Sequence, residues 1–120
     1  MSGSANKVLI VDDNQALLKV LKIEFKIKGY DVLTTRYGSE VIRLIESEKP
    51  DIVVLDLMMP VMDGFEVLEK LRVYSSIPVI AISANEELKE EALKSGAEVF
   101  ILKPFDLDEI SKSMDELLKS

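Results

Sequence analysis

Lys7-Val8-Leu9-Ile10-Val11-Asp12-Asp13 is the stretch on which the fold turns. Four apolar residues in a row follow Lys7 and stop at two carboxylates. A strand with one wet face alternates apolar and polar residues. An unbroken apolar run is the pattern of a strand covered on both faces, as in the parallel sheets of α/β proteins.

Outward from this run, short strand-like and longer helical segments alternate. From Asn14 to Lys28 the apolar residues follow helical spacing, and Gly29 supplies the stop. Tyr30 to Thr35 reads as a second strand, and Ser39 to Glu48 as a helix with Val41, Ile42, Leu44 and Ile45 on its apolar side, ended near Pro50. Asp51-Ile52-Val53-Val54-Leu55-Asp56 is a third strand. A loop through Met58, Pro60 and Met62 leads to a helix from Asp63 to about Arg72. Ile77 to Ser83 is a fourth strand, Glu86 to Ser95 a helix closed by Gly96, and Glu98 to Leu102 a fifth strand. The last helix opens at Asp106 with Glu109 as its capping-box partner, and carries Leu107, Ile110, Met114, Leu117 and Leu118 as one stripe. Five β-α units predict an α/β fold, a doubly wound parallel sheet with helices on both faces.

Bulk properties narrow the function. The 120 residues make one domain, 48% apolar and 31% charged, the balance of a globular protein. A net charge of −7 with no basic cluster along any segment argues against direct nucleic-acid binding. No apolar stretch approaches the roughly 18–20 residues of a membrane span, and the start lacks a signal-peptide core, so the expected location is the cytoplasm without membrane insertion. Residues 1–6 read as a flexible N-terminus and 7–119 as the folded domain. The sequence has no Cys and no His. Thiol chemistry and disulfides are excluded, and with His go the commonest general base and the commonest zinc ligand.

In open parallel sheets, ligands sit beyond the carboxyl ends of the strands. Strand one ends in Asp12 and Asp13, strand three in Asp56, strand four in Ser83, and strand five in Lys103; Thr34-Thr35-Arg36 ends strand two, at the expected sheet edge. Taken singly, each has an ordinary explanation: Asp13 as a helix cap, Ser83 as a turn residue, Lys103 as a solvated lysine. Their coincidence on one rim is what carries chemistry. Two carboxylates about 4 Å apart repel by about 4 kcal/mol at an effective dielectric near 20, so three together need a cation or a raised pKa. Oxygen-only ligands favour a hard ion such as Mg²⁺, which in turn takes phosphate oxygens as further ligands.

The segments Ile10-Val11-Asp12-Asp13, Leu55-Asp56-Leu57-Met58-Met59-Pro60-Val61-Met62-Asp63-Gly64, Ser83-Ala84 and Lys103-Pro104-Phe105 resemble, in order and spacing, the receiver domain of two-component response regulators, from Lys7 to about Leu118. The resemblance implies a flavodoxin-like three-layer sandwich with strand order 2-1-3-4-5. It also implies roles. Asp56 looks like the phosphoryl acceptor, and Asp13 and the backbone carbonyl of Met58 look like Mg²⁺ ligands, with Asp12 at the ion or linked to it through water. Lys103 resembles the lysine that pairs with Asp56 and then with the phosphoryl group. Ser83 and Phe100 stand at the switch positions, and Lys103-Pro104 is expected to be cis. Phe100 lacks a tyrosine hydroxyl, so a different readout is expected. The resemblance implies a phosphoryl-accepting switch that promotes its own phosphorylation and dephosphorylation, not an enzyme in the usual sense. Its donor is a sensor histidine kinase or phosphotransfer protein; whether this is a stand-alone receiver or part of a longer regulator is open.

The first helix adds a docking expectation. Leu17, Leu18, Leu21 and Phe25 make one apolar arc, while Ala16, Val20, Ile23 and Ile27 form a second stripe, with Leu17 at its margin. That second stripe meets a partner, packs against the last helix, or is simple scattered surface apolarity. Three rivals remain. A flavodoxin-like phosphate-binding protein needs a Ser/Thr/Gly-rich loop where Asp12-Asp13-Asn14 stands. An aspartyl-phosphate phosphatase needs a second acid where Met58 stands. A pseudo-receiver has normally lost one of the five rim residues, and none is missing.

Overall fold

A computed structural model describes residues 6–59 and 63–119. Five strands form one sheet: β1 (Lys7–Val11), β2 (Asp31–Thr35), β3 (Ile52–Asp56), β4 (Val79–Ser83) and β5 (Val99–Leu102). They lie in the order β2-β1-β3-β4-β5, every pairing parallel. Five α-helices connect or follow them: α1 (Gln15–Ile27), α2 (Val41–Glu48), α3 (Gly64–Tyr74), α4 (Lys89–Lys94) and α5 (Leu107–Leu118). The expected doubly wound, three-layer architecture is therefore the observed one.

The unbroken apolar runs are explained by the two faces. Val8, Ile10, Ile52, Val54, Ile80 and Ile82 pack with Leu18, Leu21 and Phe25 of α1 and Ile110 and Met114 of α5. Leu9, Val11, Val53, Leu55, Val79 and Ala81 pack on the other face with Val41 of α2, Val67, Leu68 and Leu71 of α3, and Ala92 of α4. Side chains alternate across a strand, so each strand feeds both cores, and full burial of each large aliphatic group stabilises the fold by about 1.5–3 kcal/mol.

The helix starts differ in detail from the sequence expectation. The segments expected to open α2 and α4 are single 3₁₀ turns, Gly38–Glu40 and Glu86–Leu88, which then tighten into the α-helices. Lys49 ends α2 in the left-handed region at φ 51°, its N–H donating to the Ile45 carbonyl. Pro50 disfavours a right-handed helical conformation at the residue before it, and no glycine is present to take the turn. Helix α3 runs from Gly64 to Tyr74, two residues beyond the expected end, with Asp63 as its N-cap: its Oδ1 accepts the Phe65 N–H at 2.9 Å. The Pro60 and Met62 part of the preceding loop, and residues 1–5 of the expected N-terminal segment, lie outside the described residues. The carbonyl of Asn6 accepts the Asp31 N–H at 2.9 Å, extending the β1–β2 contact by one residue. Among the described residues no helix is long and apolar enough to cross a membrane.

Candidate functional site

The rim at the carboxyl end of the sheet brings the five expected residues together. Asp12, directly after β1, has no exposed surface, and Asp56, the last residue of β3, is 3% exposed. Asp13 is half-buried beside them. Each of the three offers a carboxylate oxygen within 4.8 Å of the others. Lys103, directly after β5, reaches across: its Nζ lies 2.9 Å from Asp12 Oδ2 and 3.4 Å from Asp56 Oδ2. Backbone contacts hold the rim in register, with Asp12 N–H donating to the Thr35 carbonyl at 3.2 Å, Leu57 N–H to Ile82 at 3.0 Å, and Lys103 N–H to Ser83 at 2.8 Å.

Local turns orient the acids. Asp12 Oδ1 accepts the Asn14 N–H at 2.9 Å, and Asp56 Oδ1 accepts the Met58 N–H at 3.0 Å. The cap of α1 is not Asp13 but Asn14, whose Oδ1 accepts the Leu17 N–H at 3.1 Å. This corrects the ordinary explanation of Asp13 as a cap. Its carboxylate is left for the site because the next residue satisfies the helix.

Ser83 is buried at the end of β4, and its Oγ accepts the Asn85 N–H at 3.0 Å, so it is also a turn residue. Phe100, half-buried on β5, stands opposite Ala81 and packs on the α3–α4 side of the sheet. The Lys103-Pro104 bond is cis, as the resemblance implied.

The electrostatics follow from this geometry. Burial pushes the Asp56 carboxyl above the ordinary aspartate value, and the Asp12 charge pushes the same way, against the Met58 N–H and Lys103. Burial by itself would depress Lys103, but the adjoining Asp12 and Asp56 more than reverse it and hold its ammonium above the usual lysine value. One cation among three acids leaves a net negative site. An all-oxygen donor set in a chain without His or Cys suits a hard divalent cation, for which Asp12, Asp13 and Asp56 are the candidate ligands.

Two neighbours were not singled out from the sequence. Gly64 opens α3 against the strand end, where a Cβ would stand 2.5 Å from Leu57 Cα and 2.7 Å from the Asp56 carbonyl oxygen. Its signal was a glycine at a helix start next to a suitable cap, Asp63. Arg36 donates from Nε to the Asp13 carbonyl at 3.3 Å, a contact between chain segments that no spacing reveals.

The second apolar stripe on α1 is uncovered. Ala16 is exposed, Val20, Ile23 and Ile27 are 49%, 62% and 76% exposed, and only Leu17 at its margin is half-buried against the α1–α5 core. Packing against α5 is therefore not its explanation.

A parallel sheet in this order, with three acids, a lysine and a buried serine on its carboxyl rim, is the arrangement that the resemblance to receiver domains implies. The chain belongs to the response regulator receiver domain family, which it matches over residues 8–115. It is similar to the transcriptional regulatory protein KdpE of Mycobacterium tuberculosis, 39% identical over 104 residues that cover 85% of this chain and 46% of that protein. Among solved structures it is similar to the receiver domain of Francisella response regulator 1452, with TM-score 0.87, 36% identity, and coverage of 93% of this chain and 95% of that one. It also resembles chemotaxis response regulator CheY4 of Vibrio cholerae, with TM-score 0.88, 28% identity, and coverage of 96% and 100%. The chain spans about half the length of the curated relatives it matches. Several of these are named transcriptional regulators, which narrows the expectation of no direct nucleic-acid contact. The acidic composition speaks for these 120 residues and does not extend to the remaining half of such relatives.

Proposed function

We propose that Asp56 accepts a phosphoryl group from a phosphohistidine of a sensor histidine kinase or phosphotransfer protein, in a Mg²⁺-dependent reaction in the cytoplasm. The observation that supports this most strongly is the Lys103 ammonium lying between the buried carboxylates of Asp12 and Asp56. An Asp56 oxygen attacks phosphorus in line as the P–N bond breaks, and its electron pair stays on the donor imidazole. Asp12, Asp13, Asp56 and the Met58 carbonyl are the groups that would hold Mg²⁺, which when bound supplies charge neutralisation for phosphoryl oxygens.

The protein's own contribution is positioning. The Met58 N–H fixes one Asp56 oxygen, leaving the other toward Lys103. Lys103 follows the new charge onto the phosphoryl group, and Ser83 turns its hydroxyl from the Asn85 N–H to donate there. Phe100 moves toward the space that Ser83 vacates, and the altered surface is read by a partner. Attack of water on phosphorus then breaks the P–O bond and restores Asp56. The donor docks on the α1 stripe of exposed Ala16, Val20, Ile23 and Ile27 with half-buried Leu17 at its margin, which starts beside the rim and runs along the helix.

The test is intact mass after incubation with acetyl phosphate and Mg²⁺, comparing wild type with Asp56→Asn. One added phosphoryl group that disappears with EDTA and in the variant is expected. An unmodified wild type with every small phosphodonor and with phosphohistidine donors, or phosphorylation surviving in the variant, would overturn the assignment.

A further inference from the structure

Beside the acidic rim, the carboxyl edge of β2 carries the opposite charge. A groove of about 340 Å³ between α1 and the β2–α2 connection is lined by Lys19, Lys22, Arg36 and Tyr37, with Leu18 and Thr34 among its other lining residues. In a chain of net charge −7, three cations face one groove, and none of them forms a salt bridge among the described residues. Among the described lining residues the one carboxylate, Glu40, is already engaged. Its Oε1 accepts the Thr35 hydroxyl at 2.5 Å, and its Oε2 pairs with Arg43 at 3.3 Å. The groove is therefore net positive.

Tyr37 adds a second kind of recognition. Its N–H donates to Thr35 Oγ1 at 3.1 Å, which fixes the turn, while its side chain remains 58% exposed along the groove. An exposed aromatic face beside unpaired cations matches a ligand with a planar ring and an anionic end. The volume lies near the lower end of the range for small-molecule sites, about 300–1,000 Å³.

We propose that this groove binds a nucleoside phosphate, with the phosphate held by Lys19, Lys22 and Arg36 and the base laid on Tyr37. The site is joined to the rim by two short links. Arg36 Nε donates to the Asp13 carbonyl at 3.3 Å, and the Thr35 carbonyl accepts the Asp12 N–H at 3.2 Å. A ligand that recruits Arg36 is thereby felt at the Asp12-Asp13 turn, a coupling that is reciprocal by thermodynamic necessity. The binding itself does not depend on the acceptor role of Asp56.

The experiment titrates the full chain, metal-free, with AMP, adenosine and inorganic phosphate, and follows backbone amide shifts by NMR. AMP is expected to saturate with a Kd of about 1 mM or tighter, to weaken as salt is raised, and to shift Thr34 to Tyr37 together with Asp13 and Asn14. Adenosine and phosphate alone are expected to bind at least about tenfold more weakly. Lys19→Glu/Lys22→Glu should abolish AMP binding and Tyr37→Ala should weaken it severalfold. All three positions are exposed, and unchanged circular dichroism reports that the fold is kept. Asp56→Asn should bind AMP as wild type does. No saturation by about 10 mM AMP would overturn the proposal. So would shifts centred on Lys103, binding lost in Asp56→Asn, or phosphate binding as well as AMP with no effect of Tyr37→Ala.

Discussion

Gly64 and Asp56 are in closer contact than any other side chain at position 64 allows: a Cβ there would stand 2.7 Å from the Asp56 carbonyl oxygen. The α3 terminus is thus seated directly on the backbone that presents the candidate acceptor, and the Gly64 N–H donates to the Leu57 carbonyl at 3.2 Å.

Gly64→Ala gains some helix propensity but forces α3 off the strand end. A net loss of roughly 2 kcal/mol is expected, the scale of overpacking against backbone that cannot give way. Chemical denaturation measures it, and the rate of phosphorylation by acetyl phosphate should fall with it as Asp56 shifts. An alanine variant as stable and as reactive as wild type would show that the helix terminus adjusts freely.

Asp56→Asn should stabilise the metal-free protein at neutral pH. The folded-state pKa of Asp56 is raised, first by burial, so folding favours its protonated form. That contribution is fully present below the unfolded value and is lost as pH rises through the folded one, leaving a penalty at neutral pH that the amide removes. A higher Tm than wild type is expected at pH 7, with the difference shrinking toward zero as pH falls below the unfolded carboxyl value. Thermal unfolding across this range checks both the sign and the pH window.

Lys103→Met removes the only side-chain cation, among the described residues, within salt-bridge distance of the buried Asp12. Without metal, the loss should be roughly 2 kcal/mol, less than for a fully buried pair because the Lys103 side chain keeps 23% of its surface exposed. Urea titrations of the variant with and without Mg²⁺ test this, since a divalent ion should restore part of the loss.

Mg²⁺ should raise the stability of the wild type by about 2.7 kcal/mol at a free concentration a hundred times its Kd, following mass action. EDTA reverses the effect. Asp13→Asn should blunt it with little cost to the metal-free fold, because Asn14 and not Asp13 caps α1. An unchanged Mg²⁺ response in that variant would remove Asp13 from the ligand set.

Ile23→Asp and Ile27→Asp lie on the exposed stripe of α1 and should change stability by no more than about 0.5 kcal/mol. Phosphorylation by acetyl phosphate should be unaffected. Transfer from a phosphohistidine donor protein should slow by about tenfold or more, as expected for truncating the centre of an interface. Equal slowing with both donors would place the defect in the fold and not in docking.

By itself the sequence determined the alternation of elements, the coverage of the sheet on both faces, and the five residues delivered to its carboxyl rim. Those features are periodic or local, and the apolar runs of β1 and β3 leave a strand no solvent-facing side. The resemblance added the strand order and the roles. Tertiary structure alone decided what depends on segments far apart in the chain. Lys103 sits nearer to Asp12 than to Asp56, across 91 and 47 residues respectively. Asn14 relieves Asp13 of capping, Gly64 meets the Asp56 carbonyl, Arg36 holds the Asp13 carbonyl, and the second stripe of α1 is left open. Residue spacing encodes which face of its own element a side chain takes. Which atoms meet across that face is settled only when the helices close on the sheet.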